Sequence, residues 1–195
     1  MKKTVPKEAL IVAGPNGAGK TTFAQEYVAA YPRLFLSADA IAQRLRPEEP
    51  TQARLQAGRA FFAELDALIR TGESFVVEST LAGLGYGRIL ERLKAVGYTV
   101  TIAFVFVESS ASCIARVEER VRGGGHDVPR EDITRRFYRS KHNFWNVYRH
   151  MADKWQLFYN ATEGFRLVAS GQRDAYTVSV EHLFELFCHD LEEEA

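Results

Sequence analysis

Cysteine is scarce in this chain of 195 residues: there are two, Cys113 and Cys188, and they do not form a Cys-x-x-Cys pair. That excludes a disulfide framework or a thiolate metal site and leaves two reduced thiols on apolar helical faces. Long hydrophobic runs are also missing. No segment approaches the about 18–20 apolar residues that span a bilayer. The apolar run at 9–13, behind Met1, Lys2 and Lys3, is too short and wrongly flanked for a signal peptide, so a cytoplasmic protein with no membrane partner is expected. No charge of one sign dominates, because 25 Lys and Arg balance 25 Asp and Glu. The balance argues against a chain-wide nucleic-acid footprint. Repeats, low-complexity stretches and linkers are absent, and His126, His142 and His150 lack the spacing of metal ligands.

What is present is an alternation of short apolar runs with amphipathic stretches. Hydrophobic residues make up 46% of the chain, enough for a self-supporting core in one domain spanning 1–195. Strands are expected at 9–13, 33–36, 74–78, 98–107, 155–159 and 165–169, with helices at 20–30, 51–71, 88–96, 110–122, 130–152 and 180–194. In the helix at 20–30, Phe23, Tyr27 and Val28 share the inner face; in that at 51–71, Leu55, Phe62, Leu65 and Ile69 recur at helical steps. Ser109 is placed to cap the helix at 110–122, and Gly72 and Gly97 to close two others. The pattern is that of an α/β three-layer sandwich around a mostly parallel, five-stranded sheet. The glycine-rich loop at 123–129 and its flanks, 120–152, read as a helical lid and the most mobile part. Aromatic residues Phe144, Trp145, Tyr148, Trp155, Phe158 and Tyr159 follow helical and strand spacing near basic residues; a core face under that lid explains them better than a surface for stacking nucleic-acid bases.

One motif carries chemistry. Gly14, Pro15, Asn16, Gly17, Ala18, Gly19, Lys20 and Thr21, followed by Thr22, fit Gly-x-x-x-x-Gly-Lys-Ser/Thr. Glycine makes up roughly 7% of average sequence, and a chain of this length meets the pattern by chance on the order of once in a hundred. Here it also follows an apolar strand and opens a helix, which is the context its mechanism requires. Such a P-loop turns its backbone N–H groups toward phosphates at a positively polarised helix end. Lys20 would reach the β- and γ-phosphates of a bound ATP, and the Thr21 hydroxyl would ligate Mg²⁺. There is no Leu-Ser-Gly-Gly-Gln signature of transport ATPases beyond the fragment Ser170, Gly171, Gln172. No Asn-Lys-x-Asp guanine reader occurs either. A kinase-like arrangement remains: a small core, an acid after the second strand, and an arginine-bearing lid.

Asp39 lies just past the second strand, where a carboxylate can face the P-loop, orient an acceptor hydroxyl and take its proton. The same residue could cap a helix beginning at Ala40. Glu78 ends a strand reading Phe, Val, Val, Glu, and a carboxylate at the carboxyl edge of a parallel sheet points into the ligand crevice. It could also be a buried acid paired with a basic side chain. Arg120, Arg122, Arg135 and Arg136 flank the glycine loop and could stabilise a transferring phosphoryl group from a closing lid. Arg139 and Lys141 read as solvated positions on the same helix. His126, alone in the loop, reads as a hydrogen-bonding group.

Taken together, residues 14–22, 37–42, 75–83, 120–129 and 133–137 resemble the zeta-toxin family of P-loop kinases, closest to its free-standing bacterial branch. The resemblance covers roughly residues 9–172, and the chain departs from the toxins in the insertion Gly123–Pro129. It implies phosphorylation of a hydroxyl of a sugar nucleotide, UDP-N-acetylglucosamine, at the expense of ATP and Mg²⁺. It also implies Asp39 as the base, Glu78 and Thr80 as substrate ligands with Glu78 organising Mg²⁺ through water, and Arg120 and Arg136 on phosphate. If the protein is a toxin, an antitoxin must be a separate chain, because eight residues precede the first strand at Ala9. A regulatory ATPase, or a nucleotide-gated binding module, stays open as the other reading; it needs no acceptor.

Overall fold

In a computed structural model the protein is described over residues 6–46, 48 and 50–192. The expectations for residues 1–3 and for the end of the last helix, 193–194, lie outside these residues. A seven-stranded sheet runs through the molecule in the order β2-β3-β1-β4-β5-β6-β7. Its strands are β1 (Lys7–Ala13), β2 (Leu34–Leu36), β3 (Phe75–Ser79), β4 (Tyr98–Phe106), β5 (Lys154–Ala161), β6 (Gly164–Gln172) and β7 (Ala175–Val178). The first five in sheet order are parallel, and β6 and β7 add on antiparallel. Five parallel strands are as expected, and the sheet is extended to seven. The apolar centre of β6 falls on the run expected at 165–169. β7 is four residues long and mostly exposed, so it carries no hydrophobic signal.

The helices are α1 (Lys20–Ala30), α2 (Ala38–Leu45), α3 (Arg54–Thr71), α4 (Gly87–Ala95), α5 (Ser110–Arg122), α6 (Arg130–Asn143), α7 (Arg149–Met151) and α8 (Glu181–Glu192), with a π turn at Phe144–Tyr148 joining α6 to α7. The sheet is apolar on both faces because helices cover both. On one side Leu10, Val12, Val76, Ala103 and Val105 meet Ala24, Phe23, Tyr27 and Val28 of α1. On the other, Ile11, Val77, Ile102, Phe104 and Phe106 meet α3, α4 and α8. Ser109 caps α5 as expected, its hydroxyl accepting from the Ser112 N–H at 3.1 Å. Gly72 and Gly97 close their helices with positive φ.

Two expectations are corrected. In α3 the buried stripe is Ala57, Phe61, Leu65 and Ile69, whereas Leu55 and Phe62 are 73% and 53% exposed. Steps of four keep one line toward the sheet, and of the two adjacent phenylalanines the sheet takes Phe61. Lys141 is not solvated but fully buried. Its ammonium lies over the rings of Phe106, Phe137 and Phe187 at 5.3, 5.0 and 4.8 Å and pairs with Asp190 of α8. Burial lowers the Lys141 pKa, and the Asp190 partner opposes the shift.

The segment at 120–152 therefore divides. Its latter half is core: Phe144 stacks on Phe104 with centroids 4.5 Å apart, and Tyr148 is fully buried. Trp155, which follows, is also fully buried, so the aromatic run faces inward. No disulfide joins Cys113 and Cys188, and burial pushes the Cys113 thiol up to about 12. Among the described residues no helix is long and apolar enough to cross a membrane. Removing the Phe144 ring leaves a cavity beneath β4, so Phe144→Ala should lose about 3–5 kcal/mol of stability. Urea unfolding of the two proteins measures this; a loss under 1 kcal/mol would show that this half of the segment is not core.

Candidate active site

The loop between β1 and α1, residues 14–19, crosses the carboxyl edge of the sheet. Two of its glycines are required by contact. A Cβ on Gly14, at φ +137°, would lie 2.1 Å from the Val105 carbonyl oxygen. One on Gly17, at φ +82°, would lie 2.4 Å from that of Cys113. Any side chain there would push the loop off β4 and α5. No side chain caps α1 and no acid occupies its first turn, which leaves the N–H groups and partial positive charge of the helix end for an anion. Lys20, the first residue of α1, folds back and donates to the Pro15 carbonyl oxygen at 2.8 Å.

Two carboxylates face this lysine. Glu78 sits on β3 opposite Val12 of β1, so sheet register brings it beside the P-loop. The Ser37 hydroxyl donates to its Oε2 at 3.1 Å, while its buried Oε1 has no hydrogen-bond partner. Burial raises the Glu78 pKa above the usual carboxylate range; Lys20 and the Thr21 and Ser37 hydroxyls hold it down, and Asp39 pushes it further up. Asp39 stands exposed in the first turn of α2, which begins at Ala38 with Ser37 at its N-cap position, so capping does not fall to Asp39. Lys20 has its pKa lowered by burial, with Glu78 and then Asp39 opposing the shift.

The cleft has two lobes. One, of about 300 Å³, is lined by the P-loop with Thr21, Thr22, Arg116, Arg120 and Asn160. The other, also about 300 Å³, is lined by Ser37, Phe61, Phe62, Thr80, Tyr86 and Arg136. Asn16, Lys20, Asp39 and Glu78 line both. Of the four arginines singled out in sequence, Arg120 reaches the first lobe and donates to the His126 carbonyl oxygen at 2.5 Å. Arg136 reaches the second and donates to Asn16 Oδ1 of the P-loop at 3.1 Å. Arg122 lines neither lobe, and Arg135 pairs with Asp132 at 2.7 Å outside them.

Sequence reading missed Arg116 and Asn160. Arg116 donates to the Asn160 carbonyl oxygen at 3.2 Å, and Asn160 Nδ2 donates to that of Ala18 at 2.8 Å, tying the end of β5 to the P-loop. Spacing gave one clue, since Arg116 lies one turn before Arg120 on the same face of α5. Phe61, Phe62 and Tyr86 left none. Among the described residues no group of three His, Cys, Asp or Glu could hold a metal by itself.

Over 134 residues, 67% of this chain, it is 30% identical to an uncharacterized protein of Haemophilus influenzae, 92% of which is covered. Among solved structures, a chain from the AvrRxo1-ORF1:AvrRxo1-ORF2 complex with ATP superposes with a TM-score of 0.71 at 18% identity. The match takes in 92% of this chain, which spans 63% of the length of that one. A chain of the PezAT chromosomal toxin–antitoxin system of Streptococcus pneumoniae superposes with a TM-score of 0.63 at 15% identity, over 98% of this chain and 88% of that one. These likenesses show the P-loop kinase-like fold. Residues 10–139, well over half the sequence, match the AAA domain model, and the chain belongs to that family of P-loop proteins.

Proposed function

We propose that the protein is an ATP-dependent phosphotransferase that moves the γ-phosphoryl group of ATP to a hydroxyl of a small molecule. The observation that carries this reading is the meeting of the two lobes at Lys20, Asp39 and Glu78. Phosphoryl transfer needs donor and acceptor in direct contact with their reacting atoms in line, and lobes that share Lys20, Asp39 and Glu78 support that meeting. ATP occupies the lobe of residues 14–22 with Arg116 and Arg120 beside its phosphates. The acceptor occupies the lobe of Thr80, Glu78 and Asp39. Asp39 takes the proton of the attacking hydroxyl, and Lys20, Arg120 and Arg136 stabilise charge on the transferring group. Arg120, in the last turn of α5, and Arg136, in α6, flank the glycine loop at 123–129 and bring their charge to the two lobes from opposite sides of it.

The residues present fit a Mg²⁺ ion. Thr21 offers an exposed hydroxyl in the first lobe, and the unpartnered Oε1 of Glu78 suits a ligand water. Such an ion, when bound, neutralises charge on the β- and γ-phosphates. The first acceptor to consider is UDP-N-acetylglucosamine, which the zeta-toxin resemblance suggests. The PezAT likeness, though limited to fold, supports looking for a separate antitoxin chain as partner.

Asp39→Asn should lower acceptor-dependent turnover by about 10²- to 10⁴-fold, the usual worth of a general base, while calorimetric ATP affinity stays within a few-fold. Full turnover in this variant would remove Asp39 from the base role. The lowered pKa of Lys20 gives a second expectation. Nucleotide phosphates supply the counter-charge that burial makes valuable, so binding raises this pKa back toward its ordinary value of 10.5. The protonated form is the one that binds. ATP affinity should therefore fall as pH rises through the lowered pKa of free Lys20, with proton uptake on binding in that window. Calorimetry in buffers of different ionisation enthalpy reads the uptake; proton release on binding would contradict it.

A further inference from the structure

Next to the second lobe lies a groove of about 400 Å³ lined by Thr80, Ala82, Gly83, Arg135, Arg136 and Arg139. The fold builds it from two rigid pieces. One is α6, held from below by Phe137, Lys141 and Phe144, all fully buried. The other is the turn after β3, where Asn143 Nδ2 donates to the Leu81 carbonyl oxygen at 2.9 Å and the Tyr148 hydroxyl donates to that of Gly83. The three guanidiniums come from positions i, i+1 and i+4 of one helix.

Their charge is not balanced within the chain. Arg135 and Arg136 share a single carboxylate, Asp132, at 2.7 and 3.6 Å. Arg139 has no acidic partner among the described residues. In a chain of formal net charge zero, three guanidiniums against one carboxylate make a local excess of positive charge. Three planar donor forks around a concavity, with the Thr80 hydroxyl opposite, match the oxygens of a phosphate or diphosphate. Arg136 and Thr80 line both this groove and the second lobe, so one molecule can occupy the two.

We propose that this groove is an anion subsite for the acceptor: the acceptor carries a phosphate or diphosphate that lies on Arg135, Arg136 and Arg139 while its reacting hydroxyl faces Asp39. The assignment rests on the phosphotransferase reading only for what the phosphate belongs to. It makes Arg135 and Arg139 specificity-determining residues and excludes uncharged hydroxyl compounds as good acceptors.

The test is calorimetric titration of inorganic pyrophosphate into the full chain whose P-loop is already saturated with a non-hydrolysable ATP analogue and Mg²⁺. One further equivalent should bind, at least tenfold more weakly to the double variant Arg135→Ala/Arg139→Glu. UDP-N-acetylglucosamine should displace it, and N-acetylglucosamine should not. Melting temperature checks that the double variant, altered at two exposed positions, stays folded; if it does not, Arg139→Gln replaces it. Absence of a second equivalent, or binding indifferent to these substitutions, overturns the subsite. Pyrophosphate that the sugar nucleotide cannot displace overturns its assignment to such an acceptor. ADP release read in parallel separates the two claims. Displacement together with ADP release that neither this nor any other nucleotide sugar stimulates sinks phosphotransfer and keeps the subsite. Stimulated release that is equal in wild type and double variant keeps phosphotransfer and sinks the subsite.

Discussion

The cleft depends on how closely the P-loop backbone packs on the structure behind it. Gly14 lies against the Val105 carbonyl and Gly17 against that of Cys113, at separations no side chain would allow. That approach fixes the loop to β4 and to the start of α5. It turns the first amides of α1 outward with no side-chain cap to consume them. It also brings α5 near enough for Arg116 and Arg120 to reach the same space as Lys20. The anion-binding end of α1 and the guanidiniums opposite it are thus two results of one packing constraint.

Charge in the cleft is then distributed so that burial opposes ionisation of two groups at once. Burial works against both Lys20 and Glu78, lowering the pKa of one and raising that of the other, and each is the other's chief opposing influence. Lys20 turns back onto a backbone carbonyl, and one Glu78 oxygen is left without a partner. A triphosphate and its cation would supply what both lack. A site in which each buried charge has one partner short is a site whose ligand completes the set.

The parts readable from sequence are those whose chemistry is local. The P-loop is contiguous, Asp39 follows the end of β2 and Glu78 lies at the end of β3, and strand ends in a parallel sheet point one way. Ser109 and the glycines Gly72 and Gly97 announced their helix ends for the same reason. What sequence did not disclose depends on which elements meet. Phe61 and Phe62 are equivalent in composition, and the sheet chooses between them. Lys141 sits on a charged helix, and its burial follows from α8, about fifty residues later, supplying Asp190. Arg116 and Asn160 become neighbours of the P-loop through the approach of β5 to α5. The lid expected at 120–152 is half core because Phe144 finds Phe104; helical spacing marked Phe144 as a core residue, but nothing in either segment named its partner.

The account's central claim is that the two lobes hold a phosphoryl donor and a hydroxyl acceptor at once. ADP release from ATP and Mg²⁺, measured with and without a panel of nucleotide sugars and with product mass read in parallel, tests it most directly. The account predicts release stimulated by a panel member, with a product heavier by one phosphate that is absent in Lys20→Ala. Clear ATP binding with ADP release that no acceptor stimulates, and no phosphorylated product, would contradict it.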